Sequence, residues 1–137
     1  MTGRVVHFEI PADDTERARD FYKSAFGWAI TSMPDIGYSM VMTTPADESG
    51  SPTEPGSING GMFAREGELR SPVITVDVAD IDAALAKIEG LGGSTVRAKQ
   101  SVMGMGFAAY FRDPEGNIIG LWENAAEPAG GADDIGA

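Results

Sequence analysis

The single histidine of this 137-residue chain, His7, stands two positions before a glutamate, Glu9. Both belong to a short apolar run typical of a β-strand, in which alternate side chains point to the same side. A neighbouring imidazole and carboxylate can transfer protons or bind a metal ion weakly. Because the chain has no second histidine and no cysteine, it cannot by itself build a two-histidine or a thiolate metal site. The alternative is a histidine that packs in a pocket or hydrogen-bonds a ligand.

Aromatic and methionine side chains elsewhere in the sequence are candidates for the wall of an apolar pocket. Strand alternation from Gly120 places Trp122 on the same side as Gly120 and Glu123 on the opposite side, towards solvent or a dimer interface. Ordinary core packing is the alternative for all of the apolar candidates. The pocket candidates are Met62 or Phe63, Met103, Met105, Phe107 or Tyr110, and Trp122.

Charge and composition exclude several classes of partner. Ten Lys and Arg against 21 Asp and Glu give a formal net charge of -11, which disfavours nucleic acid and anionic membranes. Glu9 and Pro11 interrupt the first apolar run too early for a signal peptide, and no other stretch approaches a membrane span. We therefore expect a cytoplasmic protein, with a long acidic surface loop at 44–57 and a mobile acidic tail at 125–137.

The chain contains two copies of one pattern, related by a shift of 66 residues without a gap. The aligned identical pairs are Arg4 and Arg70, Asp14 and Asp80, Ala18 and Ala84, and Gly27 and Gly93. Apolar positions coincide as well, so the aligned residues have matching structural roles, which indicates a duplicated supersecondary unit. We expect one domain at 1–124 that consists of a module at 4–63 and a module at 70–124.

Each copy has the pattern of a strand, a helix and three further strands. In the first copy, Asp13 and Glu16 have the spacing of a capping box, and Gly27 ends the helix. In the second copy, Asp80 can cap the helix, and Asp113 to Asn117 predict a turn that joins the last two strands. The predicted apolar stripe of the first helix is Ala18, Phe21, Tyr22, Ala25 and Phe26. The predicted strands are 5–10, 28–32, 38–43, 58–63, 73–78, 94–98, 106–111 and 117–123.

Two stretches resemble one known family. The segment from His7 to Tyr22, followed by Phe26-Gly27-Trp28, resembles the opening of the vicinal oxygen chelate superfamily, and Asp113 to Glu123 resembles its last hairpin. That superfamily contains glyoxalase I, extradiol dioxygenases, methylmalonyl-CoA epimerase, and the fosfomycin- and bleomycin-resistance proteins. The resemblance covers about residues 4–124. It implies an α+β fold in which two tandem βαβββ modules form an open, eight-stranded, mixed but mostly antiparallel cup around a small-molecule site, commonly in a homodimer.

The resemblance also describes a metal site. In metal-dependent members, a divalent ion is held by one side chain from the first strand and one from the last strand of each module. Here His7 matches the first of these positions, whereas Val73 and Gly120 occupy two others and Gly60 or Gly61 occupies the fourth. The resemblance therefore implies that the metal site is largely lost. We expect no cofactor, and a divalent metal at His7 remains the alternative.

Together these features predict a glyoxalase-like protein that binds a small organic molecule in an apolar cup. The candidate ligand-binding residues are His7, Phe63, Val73, Gly120 and Trp122. Chemistry without a metal would use His7, Glu9 and Tyr110 as catalytic residues. One alternative is a metal-dependent lyase, isomerase or dioxygenase with a rearranged site at His7. Another is a structural interaction module whose cavity is filled by side chains.

Overall fold

The computed structural model describes residues 3–125 and contains, within them, eight β-strands and two α-helices in the predicted order. The helices are α1 (Thr15–Phe26) and α2 (Ile81–Gly90). The strands are β1 (Val5–Ala12), β2 (Ala29–Met33), β3 (Tyr38–Met42), β4 (Asn59–Ala64), β5 (Val73–Asp77), β6 (Ser94–Val102), β7 (Gly106–Arg112) and β8 (Ile118–Asn124). Neither helix in this part of the chain has the length and apolar character that crossing a membrane requires. All of the predicted acidic tail except Ala125 lies outside the described residues.

The chain divides into two compact units, Val6–Ile74 and the rest, and the divisions fall within β1 and β5. We call β1, α1 and β2 to β4 the first module, and β5, α2 and β6 to β8 the second module. In the first module the strand order is β2-β3-β4-β1, with β1 parallel to β4 and the other neighbours antiparallel. In the second module the order is β5-β8-β7-β6, with β5 parallel to β8 and the other neighbours antiparallel. The predicted α+β class, the βαβββ pattern of both modules and the mixed, mostly antiparallel pairing are therefore confirmed.

Each module has an apolar core between its helix and one face of its strands. In the first module the buried core residues are Ile30, Val41 and Met62, packed against Phe8, Ile10, Ala18, Tyr22 and Trp28. In the second module they are Ile81, Leu85, Ala109 and Leu121. Because strand side chains alternate, the residues between these positions point away from the helix. The candidate site residues lie on those opposite faces.

Helix α1 is capped one residue later than the sequence pattern suggests. The side chain of Asp14 accepts a hydrogen bond of 3.0 Å from the backbone amide of Arg17. The predicted capping role of Asp13 is wrong, because its carboxylate forms an ion pair of 2.9 Å with Arg65. Gly27 ends the helix as predicted, with a φ of 74°, a left-handed conformation that glycine adopts without strain.

Only part of the apolar stripe predicted on α1 contacts the core, and no residue of the helix is fully buried. Ala18 and Tyr22 pack against the core, whereas Phe21 and Phe26 are 61% and 64% exposed. Tyr22 stacks on Trp28 with ring centroids 5.0 Å apart. This aromatic pair fills the contact between the helix and the strands, so the two phenylalanine rings remain at the surface.

The predicted turn between β7 and β8 is confirmed. Oδ1 of Asp113 accepts hydrogen bonds from the backbone amides of Glu115 and Asn117, at 2.8 and 2.9 Å, and Gly116 has a positive φ of 89°. These bonds, first of all the one from the Asn117 amide, lower the pKa of Asp113. The carboxylate therefore stays charged and holds the hairpin turn in place.

The assignment of the α1 cap predicts a difference between two neighbouring aspartates. Asp14→Ala should lower the free energy of unfolding by about 1 kcal/mol, because the first turn loses its capping acceptor. Asp14→Asn keeps a capping oxygen and should recover most of that loss. Asp13→Ala is the matched control and should lower the free energy of unfolding by less, because an exposed ion pair typically contributes little to stability. Urea unfolding followed by circular dichroism measures all three variants, and a larger loss for Asp13→Ala would contradict the assignment.

Candidate functional site

His7 and Glu9 lie on one face of β1, as the alternation predicts. Phe8 and Ile10 pack into the core beside α1, so the imidazole and the carboxylate point away from the helix. Glu9 is only 8% exposed, and His7 is half-buried. A buried carboxylate requires hydrogen-bond donors, so its partners decide what the site can do.

A tyrosine that the sequence analysis did not single out joins the two side chains. The hydroxyl of Tyr38, at the start of β3, lies 2.9 Å from Nε2 of His7 and 2.8 Å from Oε2 of Glu9. The hydroxyl has one proton, which it donates to Glu9. Its bond with His7 therefore requires a proton on Nε2 of His7, which the hydroxyl oxygen accepts. The three side chains form one hydrogen-bonded chain, which we call the relay.

Gly61 provides the space that Tyr38 occupies. It lies on β4 directly opposite Glu9 of β1, and a Cβ atom at this position would collide with the hydroxyl and ring of Tyr38. The neighbouring Gly60 approaches Phe8 instead. Of the two glycines that the resemblance leaves open for the fourth ligand position, Gly61 is the one that faces the relay.

Burial determines the protonation of His7, and an aromatic ring packs against Tyr38. Burial lowers the pKa of His7, and the nearby charge of Glu9 raises it by a smaller amount. His7 is therefore largely neutral at pH 7, with the proton on Nε2 directed at Tyr38. The ring of Phe63 stacks on that of Tyr38, with centroids 6.3 Å apart. The candidate ligand-binding residue Phe63 thus contacts the relay.

The side chains of this chain do not fit the four-ligand metal centre that the resemblance describes. Nε2 of His7 is committed to the hydroxyl of Tyr38, and Val73 is a buried apolar residue. The positions of Gly61 and Gly120 provide no side chain. Among the described residues, no three His, Asp or Glu side chains lie close enough together to share an ion. A bound divalent ion usually takes three or four protein ligands, and of these four positions only that of His7 carries a side chain that can bind one.

The candidate residues of the second module share one face of its strands. Tyr110 lies directly opposite Gly120 in the β7 and β8 pair, and Trp122 follows two positions later on β8. Leu121, between them, packs into the core beside α2. Tyr110, Gly120 and Trp122 therefore face away from the helix, as alternation predicts. A single site that joins this face to the relay stays a prediction.

The solvent role predicted for Glu123 is wrong, because its carboxylate is bonded within its own module, whereas a role at a dimer interface stays a prediction. Oε1 of Glu123 accepts a hydrogen bond of 2.9 Å from the backbone amide of Ile81, the first residue of α2. The carboxylate also pairs with Lys99 at 3.3 Å. A negative charge is favourable at a helix N-terminus, so Glu123 attaches α2 to β8.

Met103 and Met105, two of the pocket candidates, lie in the connection between β6 and β7, and their place in a pocket stays a prediction. Both are 57% exposed, because they belong to the tight turn between β6 and β7. Met103 and Gly104 have positive φ values of 52° and 73°, and the amide of Met105 donates to the carbonyl of Val102 at 2.9 Å. Two successive left-handed residues are typical of a two-residue hairpin turn, which points its side chains outward.

Comparison with known proteins agrees with this fold. Residues 4–44 match the family model of the bleomycin resistance protein-like N-terminal region. A glyoxylase-like domain-containing protein from Didymella fabae is 30% identical over 125 residues, which cover 85% of this chain and 91% of that protein. The anthracycline biosynthesis protein DauV from Streptomyces sp. (strain C5) is 28% identical over 136 residues, covering 88% of this chain and 46% of DauV. The crystal structure of methylmalonyl-CoA epimerase from Mycobacterium tuberculosis has the same fold, with a TM-score of 0.58, 18% identity, and coverage of 88% of this chain and 87% of the epimerase.

The chain therefore belongs to the vicinal oxygen chelate superfamily, as its two motifs suggest. Within that superfamily it is similar to glyoxalase-like and bleomycin-resistance-like proteins. It spans less than half the length of the anthracycline biosynthesis proteins that it matches. Membership establishes the fold, and the function has to be argued from the residues of the site.

The relay predicts how the single histidine titrates. In protein without a histidine tag, the imidazole signal in a proton-carbon NMR spectrum belongs to His7 alone, and its pKa should lie below the ordinary value of 6.5. Glu9→Gln removes the charge that raises this pKa, so the value should fall further. Glu16→Gln, an exposed change on the helix side of the same module, is the matched control and should leave it unchanged. A His7 pKa above 6.5, or one that rises in Glu9→Gln, would contradict this description of the site.

Proposed function

We propose that the protein binds a small organic molecule, without a divalent metal ion, on the face of the first module that carries the relay. The observation that carries the proposal is the position of the Tyr38 hydroxyl, within 2.9 Å of both His7 Nε2 and Glu9 Oε2. The nitrogen that matches a family metal ligand is here a hydrogen-bond donor. Oxygen or nitrogen atoms of a ligand can extend or replace these hydrogen bonds, so the relay forms the polar end of the proposed site.

The surroundings of the relay favour a ligand with an apolar, aromatic body. Phe63 stacks on Tyr38, and Met40 lies two positions further along β3, on the same face as Tyr38. Aromatic rings offer a large flat contact surface, and methionine adapts its shape to a ligand. A planar molecule with a few oxygen atoms at one end could pack against the aromatic and methionine side chains and hydrogen-bond to the relay.

The names of the relatives support this class of ligand. DauV is an anthracycline biosynthesis protein, and the matched family model is named for bleomycin resistance. Anthracyclines consist of a planar fused-ring body that carries hydroxyl and carbonyl oxygens, which is the chemistry that an aromatic wall and a hydrogen-bonding relay would recognise. We therefore propose polycyclic aromatic molecules with oxygen substituents as the ligand class.

We propose the candidate residues of the second module as further ligand-binding residues. Tyr110 and Trp122 would contribute aromatic surface, and Tyr110 would add a hydroxyl. Val73 is apolar and Gly120 has no side chain, so neither position would hold an ion. Two positions that carry ligands in metal-dependent relatives would thus become space for the organic molecule.

A second candidate function is proton transfer to or from the bound molecule. The specific observation is the continuity of the relay, in which a largely neutral imidazole, a phenol and a carboxylate form one chain of hydrogen bonds. Such a chain can move a proton at either end without a metal ion. Tyr110 remains a proposed third participant. A metal-dependent lyase, isomerase or dioxygenase would first require Tyr38 to release Nε2 of His7.

We also propose that the protein is a cytoplasmic homodimer. Large apolar side chains are exposed in both modules, including Phe21 at 61%, Phe26 at 64% and Leu91 at 71%. Burial of such side chains against a second copy would be favourable. The mass in solution, measured by light scattering after size-exclusion chromatography, distinguishes a dimer from a monomer.

The binding proposal makes a prediction for Tyr38. Doxorubicin, an anthracycline probe, should bind in the presence of excess EDTA, which is measured by isothermal titration calorimetry. Tyr38→Phe keeps the ring and its stacking on Phe63 but removes the hydroxyl, so binding should weaken about tenfold, equivalent to about 1.4 kcal/mol. Tyr22→Phe removes a hydroxyl on the helix side of the same module and is the matched control, with unchanged binding expected.

Two results would overturn the proposal. The first is stoichiometric, micromolar binding of Zn²⁺, Ni²⁺, Mn²⁺ or Fe²⁺ that His7→Ala abolishes and that doxorubicin binding requires. The second is the absence of doxorubicin binding, which would remove the proposed ligand class. Unchanged doxorubicin affinity in Tyr38→Phe would place the ligand elsewhere on the molecule.

A further inference from the structure

We propose that Tyr38 and Gly61 form a mutually exclusive pair, in which the phenol fills the volume that a β4 side chain would need and holds His7 as a hydrogen-bond donor. Tyr38 is thus a positioning residue that sets the role of His7. This inference goes beyond the proposed function, because it concerns the unliganded protein and holds whichever molecule binds.

The strand register forces the ring of Tyr38 to pass over Gly61. Tyr38 of β3 lies directly opposite Phe63 of β4, whereas Glu9 of β1 lies opposite Gly61, two positions earlier on β4. To reach His7 and Glu9, the tyrosine must therefore cross β4 diagonally. A Cβ atom at position 61 would collide with the hydroxyl oxygen and with two ring carbons. Glycine is the residue that permits such a close approach within a strand.

Tyr38 also occupies both polar groups of the β1 face. Its hydroxyl accepts from Nε2 of His7 and donates to Oε2 of Glu9. An imidazole nitrogen can bind a metal ion only through an unprotonated lone pair, and the hydrogen bond to Tyr38 places a proton there. While Tyr38 is in place, Nε2 is a donor and a side chain at position 61 is excluded.

Removal of the phenol would reverse both effects. Nε2 of His7 and Oε2 of Glu9 both lie within 2.9 Å of one oxygen atom, so they already converge on one point. Without the hydroxyl, each loses one hydrogen bond, and the loss of a bond by a buried polar group is unfavourable. A carboxylate introduced at position 61 would then point into the volume left by the ring. His7, Glu9 and that carboxylate would provide three ligands around one point.

The steric part of the inference is tested by thermal unfolding without ligand, with Gly61→Ala placed in the wild-type, Tyr38→Ala and Tyr38→Phe backgrounds. Gly61→Ala should lower Tm by several degrees in the wild-type background and by much less in the Tyr38→Ala background. In the Tyr38→Phe background, Gly61→Ala should lower Tm by as much as in the wild type, because the ring carbons still collide with the new methyl group. Gly90→Ala is the control, because open space surrounds that position on α2, and its effect should be the same in every background. If Gly61→Ala lowers Tm equally in the wild-type and Tyr38→Ala backgrounds, the proposal of a mutually exclusive pair is wrong.

The positioning part is tested at the histidine itself. Nitrogen-15 NMR of His7 should show the Nε2-protonated tautomer in the wild type and a changed tautomer ratio in Tyr38→Phe, a change that loss of packing alone would not produce. Isothermal titration with Ni²⁺ should give at least tenfold tighter binding to the variant Tyr38→Ala/Gly61→Glu than to the wild type, and addition of His7→Ala should abolish the gain. The inference is wrong if the tautomer ratio is unchanged, or if the wild type binds Ni²⁺ as tightly as the double variant. Failure of doxorubicin to bind would not affect either test.

Discussion

The hydroxyl of Tyr38 connects both polar side chains of the β1 face. Glu9 is almost completely buried, and a buried carboxylate without donors is strongly unfavourable. Nε2 of His7 donates to the same oxygen. Since the three side chains form one chain of bonds, the orientation of each depends on the other two. The strand order β3-β4-β1 is what brings Tyr38 within reach, so the chemistry of the site follows from the topology of the module.

The internal repeat clarifies what differs between the modules. Glu9 lies opposite Gly61 in the parallel pair of the first module, and Thr75 lies opposite Gly120 in that of the second. Thr75 is the repeat equivalent of Glu9, at the same shift that relates the motifs. The two parallel pairs are therefore built alike, each with a glycine where the resemblance implies a ligand. The first module carries a histidine and a carboxylate there, whereas the second carries Val73 and a neutral hydroxyl, so polar chemistry is concentrated in one module.

Local patterns in the sequence were sufficient for the order and type of the elements. Alternation, the cap at Asp80 and the turn at Asp113 are each decided by residues a few positions apart. Some sequence-based predictions are wrong because two neighbouring residues can both cap a helix, as Asp13 and Asp14 can. Others are wrong or incomplete because the contacts join residues far apart in the sequence. Glu123 caps a helix that begins 42 residues earlier, and Tyr38 lies 31 residues from His7. The one available signal for Tyr38 was a glycine at the ligand position, which can indicate space for a large neighbour.

Gly61 occupies a family ligand position without providing a ligand, and it also gives Tyr38 the space to form the relay. Taken alone, Gly61 looks like a missing ligand, but the structure fills its place with a phenol from the neighbouring strand. A neutral organic molecule can exchange hydrogen bonds with this phenol one at a time, and each exchange leaves the other polar groups paired. A cation would have to displace both bonds of the hydroxyl and remove the proton from Nε2 of His7 at once. This difference is the reason why we propose binding of hydrogen-bonding molecules rather than coordination of a metal ion.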